Sequence, residues 1–422
     1  LPVIPHPEPG NSARADPGRE VLGVGAFLAS SWTWCIGMFL PVILLRDFGT
    51  WSFLVFAVPN CVGAALMGWA LRSAGDSEAM VGAHRTACVW FSRVTIGFHA
   101  FFLMWMVQIE SLGAAIVVGL VVNLAVNLVA SRGSWPGWSP AAMTFAASVA
   151  CAAVMAWNGA LGATVSADPA LPIADLAWLA PVCFFGFLFC PYLDLSFHAA
   201  RQSLPGPAGT RAFVAGFGGL FLVMIVLTLA YAGMFLKTDA SLGLGGPSPG
   251  GGMVRSLGLA AVAALMIHMA SQCAFTMHLH LGMISRTRHG AAWKVDLPTA
   301  LIIMLAMVMG IASPWIPPMG GRWSPAGAIS GGEAVYRAFM AFYGLVFPAY
   351  VWICVLPGWN RRPRRERILT FAAVVGLAAP MFHMGFIERW TFWLAPGLCV
   401  VIAGRWLADW WSRPRPTGTG YA

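Results

Sequence analysis

The sequence predicts an all-α membrane protein that crosses the bilayer about twelve times, and three observations carry that prediction. Hydrophobic residues fill 59% of the 422 positions and charged residues only 10%, with a mean hydropathy of +0.73. A soluble domain typically carries about a quarter of its residues as charges. The apolar residues fall into runs of the roughly 20 that a bilayer-spanning helix needs. Trp (20), Phe (27), Gly (47) and Met (21) are abundant, and aromatics at both interfaces with glycine between close-packed helices is the membrane pattern.

In chain order, residues 1–20 are rich in Pro, Arg and acids and lack the apolar core of a signal peptide, so they read as a disordered cytoplasmic tail. Apolar spans follow at 21–44, 50–71, 87–108, 111–131 and 141–163, forming a first unit over 21–165. The third and fourth are nearly continuous, with Glu110 after Gln108 marking a turn at the outer face. A second unit over 175–356 holds spans at 177–200, 211–235, 256–280, 297–315 and 334–356, of which 256–280 turns polar towards its end. Spans at 368–387 and 391–411 form an addition at 368–411, and 412–422 is a second cytoplasmic tail. About 15 residues per span remain for connections, too few for a sizeable soluble domain.

Charge placement orients the chain. The net charge of +9 does not signal a nucleic-acid partner, because the basic residues sit in short gaps between apolar runs. With a cytoplasmic start and twelve spans, only Arg46, Lys237, Arg255, Arg322, Arg337 and Arg389 of the 25 Lys and Arg fall on the outer side. That asymmetry fits the positive-inside rule, with both termini cytoplasmic in a cell inner membrane. The cluster at 361–367 reads as a topogenic, lipid-facing loop. All nine cysteines fall in or beside apolar segments without a C-x-x-C pair, so they read as small core hydrophobes.

Two spans are irregular in a matching way. The first contains SSWTWCIGMFLP (30–41) and the sixth PVCFFGFLFCPYLDLSFH (181–198). Gly37 and Gly186 are each followed by a proline, Pro41 and Pro191, and such pairs kink helices and free carbonyls that only protein or water can cover. The second lies five spans after the first, an odd number, so the second unit is inverted relative to the first, and paired discontinuous helices mark a transporter's central site.

Span number, orientation and break positions resemble the LeuT-type fold of the amino acid–polyamine–organocation superfamily, over residues 21 to 356. That resemblance implies a 5+5 inverted repeat plus two C-terminal helices, and a small organic solute bound between 31–38 and 187–194. Trp32, Trp34, Gly37, Phe39, Phe187, Phe189, Tyr192 and Asp194 are then the substrate-site residues, the aromatics suiting an apolar or quaternary-ammonium solute. Helix eight departs from the sodium-coupled pattern: its IHMASQCAFTMHLH (267–280) has Ser271 and Thr276 but no adjacent Ser/Thr pair.

Polar groups inside spans cost several kcal/mol and mark functional or packing positions. Asp194 is foremost, either binding a cation, proton or amine with His198 at i+4 as partner, or capping the second half of the broken helix. His268, Ser271, Gln272 and Thr276 form a polar face lining a hydrated path, with Asp194 and His198 completing a coupling-ion or proton relay. His99 reads as a packing histidine. No bound metal or other cofactor is expected beyond H⁺ or Na⁺ as coupling ion.

These features point to ion-coupled symport by alternating access rather than to an enzyme. No G-x-x-x-x-G-K-[ST] supports ATP hydrolysis. A solute sensor or accessory subunit on a transporter scaffold is the alternative. A metal or haem redox protein is the weaker one, since the chain has no adjacent His-His and no H-E-x-x-H.

Overall fold

The computed structural model describes residues 16–110, 113–132, 136–162, 169–236, 257–289, 294–320 and 326–412. Lipid offers no partner to backbone N–H and C=O groups, so a chain this apolar satisfies them within each segment, as helix. Its helices are α1 (Pro17–Trp32), α2 (Cys35–Phe48), α3 (Trp51–Ala70), α4 (Ala74–Glu110), α5 (Gly113–Arg132), α6 (Ser139–Trp157) and α7 (Leu176–Phe189). They continue as α8 (Leu195–Ser203), α9 (Gly206–Leu236), α10 (Leu259–His289), α11 (Leu297–Ala312), α12 (Gly331–Val355), α13 (Arg365–Phe386) and α14 (Leu394–Trp411). Among the described residues the one β feature is an isolated bridge between Met319 and Ile329.

Among the described residues eleven segments are long and apolar enough to cross a membrane, and α1 with α2, bent by 57° at their junction, pass together as a twelfth. The protein is therefore an all-α polytopic membrane protein. Spans 1 to 12 are α1–α2, α3, α4, α5, α6, α7–α8, and then α9 to α14 singly. The third and fourth are separate helices, although the side chain of Glu110 lies outside the described residues.

Helix limits depart from the apolar runs where polar residues supply caps. α4 starts at Ala74, well before the apolar run at 87, because Ser73 and Asp76 cap each other's backbone N–H at 3.0 Å. It kinks at His84, whose φ of −114° and ψ of 22° are not helical. Asp296 and Ser330 cap α11 and α12 through the amides of Thr299 and Glu333. α9 and α12 contain π-helical turns at Gly216–Leu220, Phe342–Val346 and Val351–Val355.

Connections fall on two opposite faces. On one, Arg46 and Asp47 (end of α2) meet Glu333 and Arg337 (start of α12), Arg389 lies between α13 and α14, and Thr391 bonds Asp175. On the other, Arg93 pairs with Asp296, Arg364 donates to Ser412 O, and Trp138 bonds Glu20. Here Arg201, at the end of α8 and fully buried, donates to the carbonyls of Leu71, Arg72, Leu204 and Gly206. We call these the outer and the basic face.

Exchanging each span with the one five later maps much of the packing onto itself. Span 4 lies on span 8 as span 9 lies on span 3, span 2 on 6 as 7 on 1, and span 1 on 5 as 6 on 10. The first two seams share a device: a Cβ on Gly119 would lie 2.6 Å from Ala270 Cβ, and one on Gly310 2.6 Å from Phe101 O. The exchange is imperfect, since span 5 packs far more extensively on span 8 than span 10 does on span 3.

Candidate functional site

The first span breaks at Thr33–Trp34, ahead of the expected Gly37–Pro41 pair, and Pro41 stays within α2. Local chemistry sets the place: the Thr33 hydroxyl bonds Ala29 O at 2.8 Å, and Trp34 is extended at φ −88°, ψ 172°. Three backbone groups beside the break find partners from other spans. Cys35 N donates to His99 Nε2 at 3.4 Å, while His99 Nδ1 donates to Thr95 O at 2.7 Å, which fixes its tautomer. The Cys35 and Met38 carbonyls accept from the hydroxyls of Tyr336 (3.0 Å) and Tyr231 (2.6 Å). His99 thus packs, as expected, and also caps the broken end.

The sixth span breaks after Phe189 into a 3-10 turn, Cys190–Leu193, then the extended Asp194 (φ −81°, ψ 111°), then α8. Asp194 is wholly buried. Its Oδ1 accepts from Ser196 N (2.7 Å) and Ser196 Oγ (2.6 Å), capping α8, while its Oδ2 is buried with no hydrogen-bond partner among the described residues. Capping and an unfilled carboxylate oxygen therefore coexist. Leaving an ionised carboxylate dry and half-bonded costs several kcal/mol, so this oxygen calls for a proton or a cation.

His198 does not partner the Asp194 side chain. It lies one turn along α8, where Ser77 Oγ meets its Nδ1 at 2.8 Å and its Nε2 donates to Tyr192 O at 3.0 Å. The i+4 spacing failed as a guide because Asp194 is the cap, outside the helix whose periodicity the spacing assumes.

Between the two breaks lies a cavity of about 10 Å³, scarcely room for one water. Trp32, Trp34, Gly37 and Phe187 line it as expected, joined by Ile36, Asn60, Cys190 and Tyr343. The Trp32 indole donates to Asn60 Oδ1 at 2.6 Å, and the Trp34 ring meets Phe91, His99, His280 and Tyr343 at 5.6–6.1 Å between centroids. Four expected site residues do not line it. Phe39 packs against Phe102, Trp105, Phe235 and Tyr336, and Phe189 against Phe185 and Trp352, because successive side chains turn about 100° around a helix. Tyr192 and Asp194 lie beyond Cys190, past the cavity wall.

On α10, His268, Gln272, Thr276 and His280 recur every four residues, and each carries a buried atom with no partner among the described residues. His268 has both ring nitrogens so placed, its ring 5.9 Å from Tyr231. Gln272 donates to Ser148 Oγ at 2.9 Å but leaves Oε1 unpaired; His280 Nδ1 meets Ser92 Oγ at 3.1 Å but leaves Nε2 unpaired. Ser271 stands apart, donating to His268 O within its own turn (3.0 Å), while its carbonyl accepts from Asn123. No group of three or more His, Cys, Asp or Glu among the described residues is arranged to hold a metal ion.

Sequence reasoning missed the densest polar structure. At the outer face Asp47 and Glu333, both fully buried, are bonded by three arginines. Arg46 reaches Glu333 at 2.6 Å and Asp47 at 2.9 Å; Arg337 reaches Asp47 at 2.5 Å and Glu333 at 2.6 Å; Arg389 lies 3.5 Å from Asp47. The arginines alone entered the charge count. The available signal was the adjacent Arg46–Asp47 pair and the i, i+4 spacing of Glu333 and Arg337.

Comparison of the chain with protein-family models and with curated proteins finds no match.

Proposed function

We propose that this protein is a secondary active transporter of the LeuT type, moving a small organic solute by alternating access coupled to protons, not transforming it. The observation that carries the reading is the pair of broken spans with a small cavity between them and a buried, half-bonded carboxylate at the second break. The near-symmetric packing under exchange of spans five apart supports an inverted repeat, the architecture in which such sites sit. A cavity of about 10 Å³ is too small for such a solute, so in this reading the site must widen to admit it. The outer ion network joins spans 1, 10 and the 11–12 connection, the elements that would separate to open that face.

Protons are the better coupling ion than sodium. Asp194 Oδ2 has room for a proton without new ligands, whereas Ser271 is already committed to its own helix. The basic face is cytoplasmic in this reading, with both termini there, in a cell inner membrane. The test is uptake into proteoliposomes of a panel of amines, amino acids, sugars and carboxylates under imposed H⁺ or Na⁺ gradients. Accumulation driven by H⁺ and lost in Asp194→Asn supports the reading. Folded protein with no gradient response for any solute removes it in favour of a sensor or accessory subunit.

A further inference from the structure

A groove of about 830 Å³ opens on the basic face between the start of α4, the middle of α12 and the start of α13. Its walls are apolar, formed by Trp90, Val94, Phe342, Val346, Phe347 and Phe371. Its mouth carries Arg85 and Arg362, both exposed. Neither has a carboxylate within ion-pair distance among the described residues. Their neighbours differ: Arg93 and Arg288 share Asp296, and Arg367 pairs with Asp409. A second cleft of about 390 Å³, lined by Arg85, Arg93 and Arg288, adjoins the groove through Arg85, Thr86 and Trp90.

We propose that this groove binds an anionic phospholipid, its phosphate held by Arg85 and Arg362 and an acyl chain laid along the aromatic wall. A soluble anion has no use for the apolar wall, and a zwitterionic lipid carries beside its phosphate a cation that two arginines repel. An anionic amphiphile uses both. The volume falls within the range of ordinary ligand pockets. The surrounding membrane supplies the occupant, and the groove lies on the face where the chain concentrates its arginines. At its inner end the groove reaches Leu193, the residue before Asp194, so the bound chain touches the hinge of span 6. This assignment does not depend on the transport reading.

The experiment is photo-crosslinking in nanodiscs doped with phosphatidylglycerol or phosphatidylcholine carrying a diazirine on the acyl chain, with labelled peptides mapped by mass spectrometry. Labelling within residues 82–94 and 342–371 is expected to favour phosphatidylglycerol by about tenfold or more. That preference disappears in Arg85→Gln/Arg362→Gln and persists in Arg211→Gln, which alters an exposed arginine outside the groove. Val346→Trp, which fills the groove, lowers labelling by both lipids, and thermal unfolding confirms that each variant is folded. Equal labelling by the two lipids, or a preference that survives the double variant, overturns the proposal. Displacement by inorganic phosphate overturns it too, in favour of a soluble anion.

Discussion

Asp47→Asn tests whether the outer ion network holds the protein shut. The wild-type carboxylate is fully buried and takes bonds from Arg46 at 2.9 Å, Arg337 at 2.5 Å and Arg389 at 3.5 Å. Asparagine keeps the shape and one acceptor but leaves three guanidinium groups facing the single carboxylate of Glu333. Removing one partner from a buried ion pair costs about 3–5 kcal/mol; with one acceptor retained, about 3 kcal/mol is the working figure. If the network breaks when the outer face opens, the closed state loses that amount relative to the open one, raising the open population about a hundredfold. Cys35 is a built-in reporter, fully buried at the first turn of α2 beside the central cavity. Its labelling by a membrane-impermeant methanethiosulfonate added on the outer face, resolved by peptide mass spectrometry, should accelerate at least tenfold. The melting temperature should fall by several degrees as well. A lower melting temperature with unchanged Cys35 labelling would make the network structural and not a gate. No change in either would refute the energetic argument itself.

Three further outcomes follow from particular contacts. Asp194→Asn should keep its melting temperature, because asparagine caps helices as well as aspartate, yet lose proton-driven uptake; Asp194→Ala should also lose about 1 kcal/mol of stability. Circular dichroism melts beside the uptake assay separate these, and an active Asp194→Asn would remove the carboxylate from the mechanism. Gly63→Ala should destabilise by about 1–3 kcal/mol, since its Cβ would stand 2.5 Å from the Phe187 carbonyl, backbone that cannot swing away. Gly376→Ala, with nothing within 4 Å, should be neutral or mildly stabilising in the same melt. Partial burial pushes the Asp296 carboxyl up, but bonds from Thr299 and the Arg93 guanidinium outweigh this and hold it well below the usual carboxylate range. A depressed folded-state pKa gives stability that is present above the ordinary carboxylate pKa and lost as pH falls through the depressed value. Hydrogen exchange at the Thr299 amide should therefore stay protected at pH 4, and loss of protection near pH 5 would contradict that tie.

The twelve spans were legible because lipid imposes one rule everywhere, and that rule writes itself into hydropathy. Helix limits were less so: α4 begins thirteen residues before its apolar run because Ser73 and Asp76 cap a polar first turn that hydropathy ignores. That spans 1 and 6 break was readable from Gly and Pro, and in span 6 so was the place, since Pro191 lies in the 3-10 turn; span 1 instead breaks ahead of Gly37 and Pro41, where the Thr33 hydroxyl bonds the backbone. In the site, Trp32, Trp34, Gly37 and Phe187 were found from proximity to the breaks, while Asn60 and Tyr343 come from spans 2 and 10 and needed the tertiary packing. The ion network escaped for the same reason, its members being 287 to 342 positions apart except where adjacent or a turn apart. Asp194 was recognised as a charge inside an apolar span, three residues after Pro191, and its unfilled oxygen required the geometry of α8.

The arginines that close the two broken spans lead to an asymmetry between the faces. Arg46 lies at the end of α2 and is held by carboxylates; Arg201 lies at the end of α8, and its hydrogen bonds all go to backbone carbonyls. A carboxylate can take up a proton and release its arginine, whereas a peptide carbonyl has nothing to titrate. The fastening of α2 therefore contains titratable groups, and the hydrogen bonds that fasten α8 do not.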